Sequence, residues 1–293
     1  MGKADGETPL VTVCITTFER PALLAEAIAS IEAQTYPAIE IVVVDDGSRK
    51  PETLAALDRL AAAFAPRGWQ VLRQENAYVG AARNTGTAAA RGEYILFMDD
   101  DDVAVPEEVA TFVAVARRTG ADILTCASSL FEGAEPPARP ERLWVALGGA
   151  LGAGIFQNAF GSVNAFWRRQ VYLDLGGHTT DYGIGYEDWE MFAQAMIAGY
   201  RLDLVPRALF HYRVSTTGML RTTDVDTNLA RSARAFVKHA PLGLGVAIGH
   251  AVHLERQHEL ARRKRPTYGE LIRRDIGWTR RWLRRRLRRW FGI

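Results

Sequence analysis

The sequence predicts an α/β fold in which helices flank a mixed, mostly parallel β-sheet, with a helical extension at the C-terminal end. Two observations support this fold class. Short, apolar, β-branched runs alternate with helical patterns over the first 130 residues. The runs are apolar throughout instead of alternating with polar residues, as expected of parallel strands covered on both faces.

The elements of this first part follow one another in a regular order. The run "LVTVCITT" (Leu10–Thr17) predicts the first strand, and Pro21 suits the first turn of the helix "ERPALLAEAIASIEAQ" after it. The remaining strand and helix pairs read "IEIVVVDDGS" with "PETLAALDRLAAAFA", "WQVLRQE" with "YVGAARNTGTAAARG", and "EYILFMD" with "PEEVATFVAVARRTG", before a further strand "ADILTCAS".

The pattern is less regular after about Ser128. The proline-rich stretch "FEGAEPPARPER" predicts an exposed loop, "YEDWEMFAQAMIAGY" a helix, and "RLDLVPRALFHYRV" an extended segment. A further helix is predicted by "NLARSARAFVKHAP". We expect a main domain over residues 1–222 and a helical extension over residues 223–293.

Composition is that of an ordinary globular protein, with 48% hydrophobic and 24% charged residues in a chain of 293. The length allows a large core without disulfides, so we expect Cys14 and Cys126 to be buried free thiols. The start of the chain lacks a signal-peptide pattern, and the longest apolar run is too short for a spanning helix. These observations favour a cytoplasmic protein.

The charge distribution is uneven. From Arg262 onward the chain has 13 Lys or Arg and 2 Asp or Glu, although its overall net charge is only +2. Apolar and basic residues alternate in "TYGELIRRDIGWTRRWLRRRLRRWFGI" with helical spacing. Such a basic amphipathic helix with tryptophans favours contact with an anionic membrane surface. Docking on the main domain is an alternative, and nucleic-acid binding is the least favoured of the three.

Aspartates follow two of the predicted strands, as Asp45–Asp46 and as Asp99–Asp102. In open α/β sheets ligands bind beyond the carboxyl ends of the strands. Adjacent carboxylates repel unless a cation neutralises them, and a divalent ion with oxygen ligands, Mg²⁺ or Mn²⁺, typically bridges protein and phosphates. The alternative is a solvated acidic turn with Asp102 near the helix start. A calcium loop of the EF-hand type is excluded, because Val103 and Ala104 occupy its fifth and sixth positions.

A second acidic site follows the glycine-bearing loop of "YGIGYEDWEMF", where Glu187 and Asp188 begin a helix. A carboxylate on a helix start suits a general base, and charge complementarity with the helix terminus is the alternative. Arg83 and Arg213 are candidate phosphate ligands, since arginine binds phosphate through paired hydrogen bonds. His211 is a candidate metal ligand, although a lone histidine is more often structural.

Four motifs occur in order: "VTVCITTFERPALLAEAIASIEAQTY", "EIVVVDDGS", "GAARNTGTAAARGEYILFMDDDD" and "GIGYEDWEMF". In these motifs the chain resembles the inverting, nucleotide-sugar-dependent glycosyltransferases of family 2, which have the GT-A fold. The resemblance covers about residues 9–220. It implies a nucleotide-binding half over about residues 9–127 and an acceptor-binding half over about residues 128–222.

The resemblance also implies roles for individual residues. Asp46 is expected to accept a hydrogen bond from uracil, and Asp188 to be the catalytic base with Glu187 beside it. The metal ligands are expected to be Asp101 and Asp99, with a further contact from His211. The other residues expected to bind the nucleotide sugar are Thr16, Phe18, Glu19, Arg83, Asp99, Asp100 and Arg213.

The implied reaction moves a sugar from a nucleotide diphosphate, a UDP-sugar by the Asp46 argument, to a hydroxyl of a glycan or lipid-linked acceptor. It inverts the anomeric configuration in a single displacement and uses Mn²⁺ or Mg²⁺. The basic tail would place such an enzyme at the inner face of the cell membrane. Two alternatives remain: a nucleotidyltransferase, disfavoured because the first strand lacks a following glycine-rich loop, and a non-catalytic nucleotide-sugar-binding module. The stretch "STTG" before Met219 departs from the family's closing loop.

Overall fold

A computed structural model of the chain describes residues 8–140, 142–215 and 223–239, together with Leu254, Arg256 and Gln257. The strands are β1 (Val11–Thr17), β2 (Ile39–Asp45), β3 (Gln70–Arg73), β4 (Tyr94–Asp99), β5 (Val103–Ala104), β6 (Ile123–Phe131), β7 (Arg142–Trp144), β8 (Phe166–Arg168) and β9 (Leu202–Arg213). The helices are α1 (Pro21–Glu32), α2 (Pro51–Phe64), α3 (Val79–Ala89), α4 (Glu108–Thr119), α5 (Leu151–Gly154), α6 (Arg169–Asp174), α7 (Glu187–Ile197) and α8 (Val225–His239).

These strands form one sheet in the order β3-β2-β1-β4-β8-β6-β9-β5, with β7 paired to β6. The longer ladders, among β1 to β4 and between β6 and β9, are parallel. The short strands β5, β7 and β8 pair antiparallel with their neighbours. The predicted α/β fold with a mixed, mostly parallel sheet is therefore confirmed.

Helices cover both faces of the sheet. On one face, α1 buries Leu24, Ala27, Ile28 and Ile31, a spacing of three and four residues that makes one helical stripe. The helices α2 and α4 bury apolar side chains in the same core. On the other face, α3, α6, α7 and α8 pack their apolar side chains against the sheet or against each other. Both cysteines are buried and free, as expected.

The sheet register brings the polar strand ends together. Thr17 at the end of β1 lies opposite Asp45 of β2, and Thr16 lies opposite Asp99 of β4. Because these strands are parallel, the residues that follow them emerge at one edge of the sheet. The fold thus places the two aspartate motifs at the same edge.

The chain divides into two compact units, Met1–Val252 and His253–Ile293. The first unit includes α8, which packs against α7, so it continues beyond residue 222, where the sequence placed the end of the main domain. The basic tail from Arg262 onward lies outside the described residues. None of the described helices combines the length and the apolar character needed to cross a bilayer.

Candidate active site

The four aspartates that begin with the last residue of β4 alternate in exposure. Asp100 and Asp102 are almost completely buried, whereas the side chains of Asp99 and Asp101 are 29% and 18% exposed. A turn with a hydrogen bond from the Asp102 amide to the Asp99 carbonyl, 3.2 Å long, produces this alternation. Asp99 and Asp101 are therefore the pair that a ligand can reach.

Asp100 makes its contacts inside the protein. Its Oδ2 accepts hydrogen bonds from Thr17 Oγ1 at 2.6 Å and from Arg20 Nε at 3.2 Å. Burial raises the pKa of Asp100 to about 7, although the charge of Arg20 and the bond from Thr17 act in the opposite direction. The structure therefore places Asp100, which we expected to meet the nucleotide, in a contact that ties the aspartate turn to the end of β1.

Arg20 belongs to this site and was not among the residues selected from the sequence. Besides its contacts with Asp100, its Nη1 lies 2.8 Å from Asp101 Oδ2. The guanidinium is half-exposed and supplies the positive charge that two adjacent carboxylates require. The signal available in the sequence was its position in "FERPALL", between the end of the first strand and Pro21.

Arg83 joins the aspartate turn to the start of α7. Its Nη2 lies 2.9 Å from Asp99 Oδ1, and its Nη1 lies 2.6 Å from Glu187 Oε1. Burial opposes the charge of Arg83, but Asp99 and Glu187 outweigh it and raise the pKa of the guanidinium. Glu187 is itself 4% exposed and engaged with Arg83, so its position suits holding α7 better than receiving a proton from a substrate.

Asp188 is the half-buried carboxyl at the start of α7. Its Oδ1 accepts a hydrogen bond from the Trp189 amide at 2.7 Å, and its Oδ2 accepts one from Asn158 Nδ2 at 3.1 Å. Burial, followed by the charge of Glu187, raises the pKa of Asp188 to about 7. Such a carboxyl can take up and release a proton near neutral pH. Asn158 lies in a stretch without a clear period, so the sequence gave no reason to select it.

The expected three-residue metal site is not assembled by protein side chains alone. Among the described residues, no three or more His, Cys, Asp or Glu side chains are grouped so that they could hold a metal ion. His211 lies on β9 between Val103 and Ser129, with its ring edge against Phe131. Burial lowers the pKa of His211, which keeps the imidazole neutral.

Asp99 and Asp101 nevertheless fit a divalent ion. Magnesium in particular is usually held by one or two carboxylates together with water and substrate phosphates. Both aspartates are partly exposed, and Arg83 and Arg20 already supply cationic groups to them. The donor set therefore suits a hard cation that shares its ligands with a diphosphate.

The residues expected around the nucleotide base lie at the ends of β1 and β2. Thr16 is buried in β1, whereas Phe18 just beyond it is 48% exposed. Asp46 Oδ1 accepts hydrogen bonds from Gln74 Nε2 at 2.7 Å and from the Ala77 amide at 2.9 Å. Asp46 thereby fixes the segment that leads into α3.

Glu19 and Arg213 hold neighbouring segments in place. Glu19 Oε1 accepts hydrogen bonds from the amides of Arg49 and Lys50, at 2.6 and 3.0 Å, in front of α2. Arg213 donates to the carbonyl of Asp101 at 3.2 Å and pairs with Glu26 at 2.6 Å. Binding of the nucleotide sugar by these two residues stays a prediction, and the contacts that the structure gives them are with protein atoms.

Tyr212, like Arg20 and Asn158, was not selected from the sequence. It is 36% exposed, and burial raises the pKa of its phenol. The charges of Asp102, Asp99, Asp101 and Asp188 act in the same direction, so the phenol stays protonated. The loop over residues 216–222, expected to close over the diphosphate, lies outside the described residues.

Backbone strain is concentrated at the same place. Among the described residues, the non-glycine residues with positive φ are Glu19, Tyr78 and Tyr186, with φ of 56°, 74° and 64°. Tyr78 and Tyr186 directly precede α3 and α7, the helices that carry Arg83 and Asp188. Left-handed backbone at non-glycine residues is uncommon and is often found at functional sites.

Several known proteins are similar to this chain. ExoO of Rhizobium meliloti, a succinoglycan biosynthesis protein, is 27% identical over 266 residues, which cover 84% of this chain and 74% of ExoO. The putative glycosyltransferase EpsH of Bacillus subtilis is 35% identical over 103 residues. The chain covers 28% of EpsH and, in a separate match, 12% of the uncharacterized protein y4gI of Sinorhizobium fredii, so it spans a minor part of these two relatives.

Solved structures share the fold. TarS of S. aureus in complex with UDP-GlcNAc superimposes with a TM-score of 0.64 at 18% identity, over 83% of this chain and 70% of that one. The mannosyltransferase PcManGT of Pyrobaculum calidifontis, in complex with GDP-Man and Mn²⁺, superimposes with a TM-score of 0.61 at 24% identity, over 86% of this chain and 72% of that one. The model of the family described as "Glycosyl transferase family 2" matches residues 12–180. The chain belongs to glycosyltransferase family 2.

Proposed function

We propose that this glycosyltransferase moves a sugar from a nucleotide diphosphate to an acceptor hydroxyl with inversion, and that Asp188 is the base. The observation that carries the proposal is the half-buried carboxyl of Asp188, whose pKa is raised to about 7 at the start of α7. Through Glu187 and Arg83, the same helix start is joined to Asp99 at the end of β4. A base and an acidic ligand site are thus held in one ion-paired unit.

The chemistry divides between the two ends of this unit. A divalent ion bound by Asp99 and Asp101 would neutralise charge that develops on the departing diphosphate. Arg20 lies beside Asp101 and supplies a further cation to the same region. At the other end, Asp188 accepts the proton of the acceptor hydroxyl as its oxygen attacks the anomeric carbon from the side opposite the diphosphate. One displacement then inverts the configuration.

For the donor we propose a UDP-sugar. Asp46 lies at the end of β2 with Oδ1 bound to Gln74 and Ala77, so the second carboxylate oxygen would accept from the uracil ring. The exposed ring of Phe18 offers a surface on which the base can stack. TarS was solved with UDP-GlcNAc and PcManGT with GDP-Man, so the shared fold accommodates either base.

For the acceptor we propose a hydroxyl of a glycan or of a lipid-linked saccharide. ExoO, a relative over most of this chain, is named for succinoglycan biosynthesis, which supports a role in assembling a polysaccharide. The basic, tryptophan-bearing sequence after Arg262 supports peripheral contact with an anionic membrane, where such a lipid acceptor would lie.

Release of the nucleotide tests the proposal directly. The full chain would be screened against nucleotide sugars by thermal shift with Mn²⁺. UDP release would then be measured with the donors that stabilise it, both with added saccharides as acceptors of the sugar and with water alone. We expect UDP release that EDTA abolishes and added Mn²⁺ or Mg²⁺ restores. Binding without release would indicate a non-catalytic module, and release of pyrophosphate from a nucleoside triphosphate would indicate a nucleotidyltransferase.

A further inference from the structure

Helix α8 holds the loop that precedes the proposed base. Arg231 of α8 has a side chain that is only 2% exposed. Its Nη2 donates to the Thr179 carbonyl at 2.7 Å, its Nη1 donates to the Ile184 carbonyl, and its Nε lies 3.3 Å from Glu190 Oε2. One guanidinium therefore ties both ends of the loop 179–186 to the first turns of α7.

Neighbouring side chains complete this contact. Asn228 Oδ1 accepts a hydrogen bond at 2.7 Å from the amide of Gly185, which is separated from α7 by Tyr186 alone. Glu190 is 3% exposed on its side chain and pairs with Arg234 at 2.9 Å, in addition to Arg231. Since Glu190 is two residues from Asp188 on the same helix, its orientation and that of the base are fixed together.

The loop is held on its other side by α3. A Cβ atom at Gly80 would lie 2.6 Å from the Thr179 carbonyl oxygen, so the backbones of α3 and the loop are in close contact. The rings of Tyr78 and Tyr182 also meet, with centroids 5.2 Å apart. The loop is thus packed between α8 and the helix that carries Arg83.

We propose that Arg231 is a positioning residue for sugar transfer, which fixes the loop 179–186 and thereby the placement of Asp188 at the start of α7. The inference rests on the proposed role of Asp188 as base. It assigns a function to α8, which lies outside residues 12–180 matched by the family model.

A purely stabilising role explains this arrangement less well. Burying an ion pair such as Arg231 with Glu190 often contributes little net stability, because desolvation of the two charges offsets their attraction. The planar guanidinium does fix directions. Its donors contact two carbonyls of the loop and one carboxylate of α7 at the same time. Misplacing a catalytic group by about 1 Å can cost about a hundredfold in rate.

The first experiment measures amide hydrogen exchange in the full-length Arg231→Gln protein. We expect exchange over residues 183–190 to become about tenfold faster, as for the loss of one hydrogen bond to a charged group. Exchange in β1 and β4 should stay unchanged, and the Kd for UDP with Mn²⁺ should stay within about twofold. Lys238→Gln, on the exposed side of the same helix, is the matched control.

The second experiment measures UDP release with the donor that the screen identifies. For Arg231→Gln we expect kcat to fall by about a hundredfold with KM for the donor nearly unchanged. Arg231→Lys, which keeps the charge but not the planar fork, should fall between this variant and the wild type. If Arg231→Gln does not fold, Asn228→Ala removes only the contact with Gly185 and should shift exchange and kcat in the same directions by smaller amounts.

The outcomes separate the two proposals. Wild-type exchange over residues 183–190 in Arg231→Gln, or in Asn228→Ala if the former does not fold, would overturn the role of α8. A fall in kcat that only matches a loss of folded protein or of UDP binding would overturn it too. A wild-type protein that releases no UDP from any donor would instead contradict the proposed function, while the exchange measurement would still test the link from Arg231 to α7.

Discussion

The Arg83 side chain connects two distant segments of the chain. Its guanidinium pairs with Asp99 at the end of β4 and with Glu187 at the start of α7. The sequence could not show that Glu187 is engaged by Arg83, because the two residues are 104 positions apart. Long-range pairing of this kind depends on how the elements pack.

Replacing Arg83 should lower the stability of the folded protein. Replacing it with Met leaves Asp99 and Glu187 without their buried partner, and breaking such a pair costs about 3–5 kcal/mol. Urea unfolding should show this loss in Arg83→Met. The matched control is Arg142→Met, which removes an exposed pair with Glu132 and should cost less than about 1 kcal/mol. Equal losses in the two variants would refute the ion-paired unit.

The raised pKa of Asp188 leads to a prediction for the pH dependence of turnover. Its pKa in the folded protein is raised from 3.8 to about 7, so the carboxyl is increasingly ionised as pH rises through that value. Because only the ionised form accepts a proton, kcat should rise with pH through about 7 and level off above it. A rate measured from pH 5 to 9 at saturating donor checks this, and a rate independent of pH from 5 to 8 would contradict it.

Among the secondary-structure elements, the alternating first part of the chain was the easier to predict. The continuous apolar runs of β1, β2 and β4 and the helical spacing of α1 indicated these elements directly. The three-residue strand β8, inserted antiparallel between β4 and β6, carries too few residues for a pattern. The packing of α8 on α7 could not be predicted from the sequence either, because helical periodicity indicates that a face is buried but does not identify the element that covers it.

Helix α3 must lie close to the sheet to bring Arg83 to Asp99. A Cβ at Gly86 would lie 2.3 Å from Cys14 Sγ of β1, so Gly86→Ala should force the helix and strand apart. We expect a loss of about 1–3 kcal/mol and a Tm lower by several degrees in a thermal melt. Gly152→Ala is the control, because a Cβ there meets nothing within 4 Å and should change stability by less than about 1 kcal/mol.

In the molecule as a whole, the ion pairs of Arg83 with Asp99 and Glu187 belong to the first compact unit, and the basic sequence begins at Arg262. The fold class and the order of its motifs were predictable, because they depend on local periodicity and on polar residues at strand ends. The extent of the first compact unit was not, since α8 is joined to it by contacts such as Arg231 with Thr179 that no local pattern encodes.

From the basic sequence after Arg262 we predict that the whole protein binds membranes. Its basic and tryptophan side chains should bind vesicles that contain an anionic lipid and not vesicles of neutral lipid alone. In liposome flotation, the full chain should float with anionic vesicles, less so at high salt, and a chain ending before Arg262 should remain at the bottom. Equal flotation of the two chains would show that the tail is not the membrane contact.

The most direct test of the account is the Asp188→Asn variant, compared with Asp174→Asn on the exposed surface of α6. The substitution keeps the size of the side chain but removes its capacity to accept a proton. We predict that kcat for sugar transfer falls by about 10²–10⁴-fold while the Kd for the donor with Mn²⁺ stays nearly unchanged. Turnover at the level of wild type and of Asp174→Asn would contradict the assignment of Asp188 as the base.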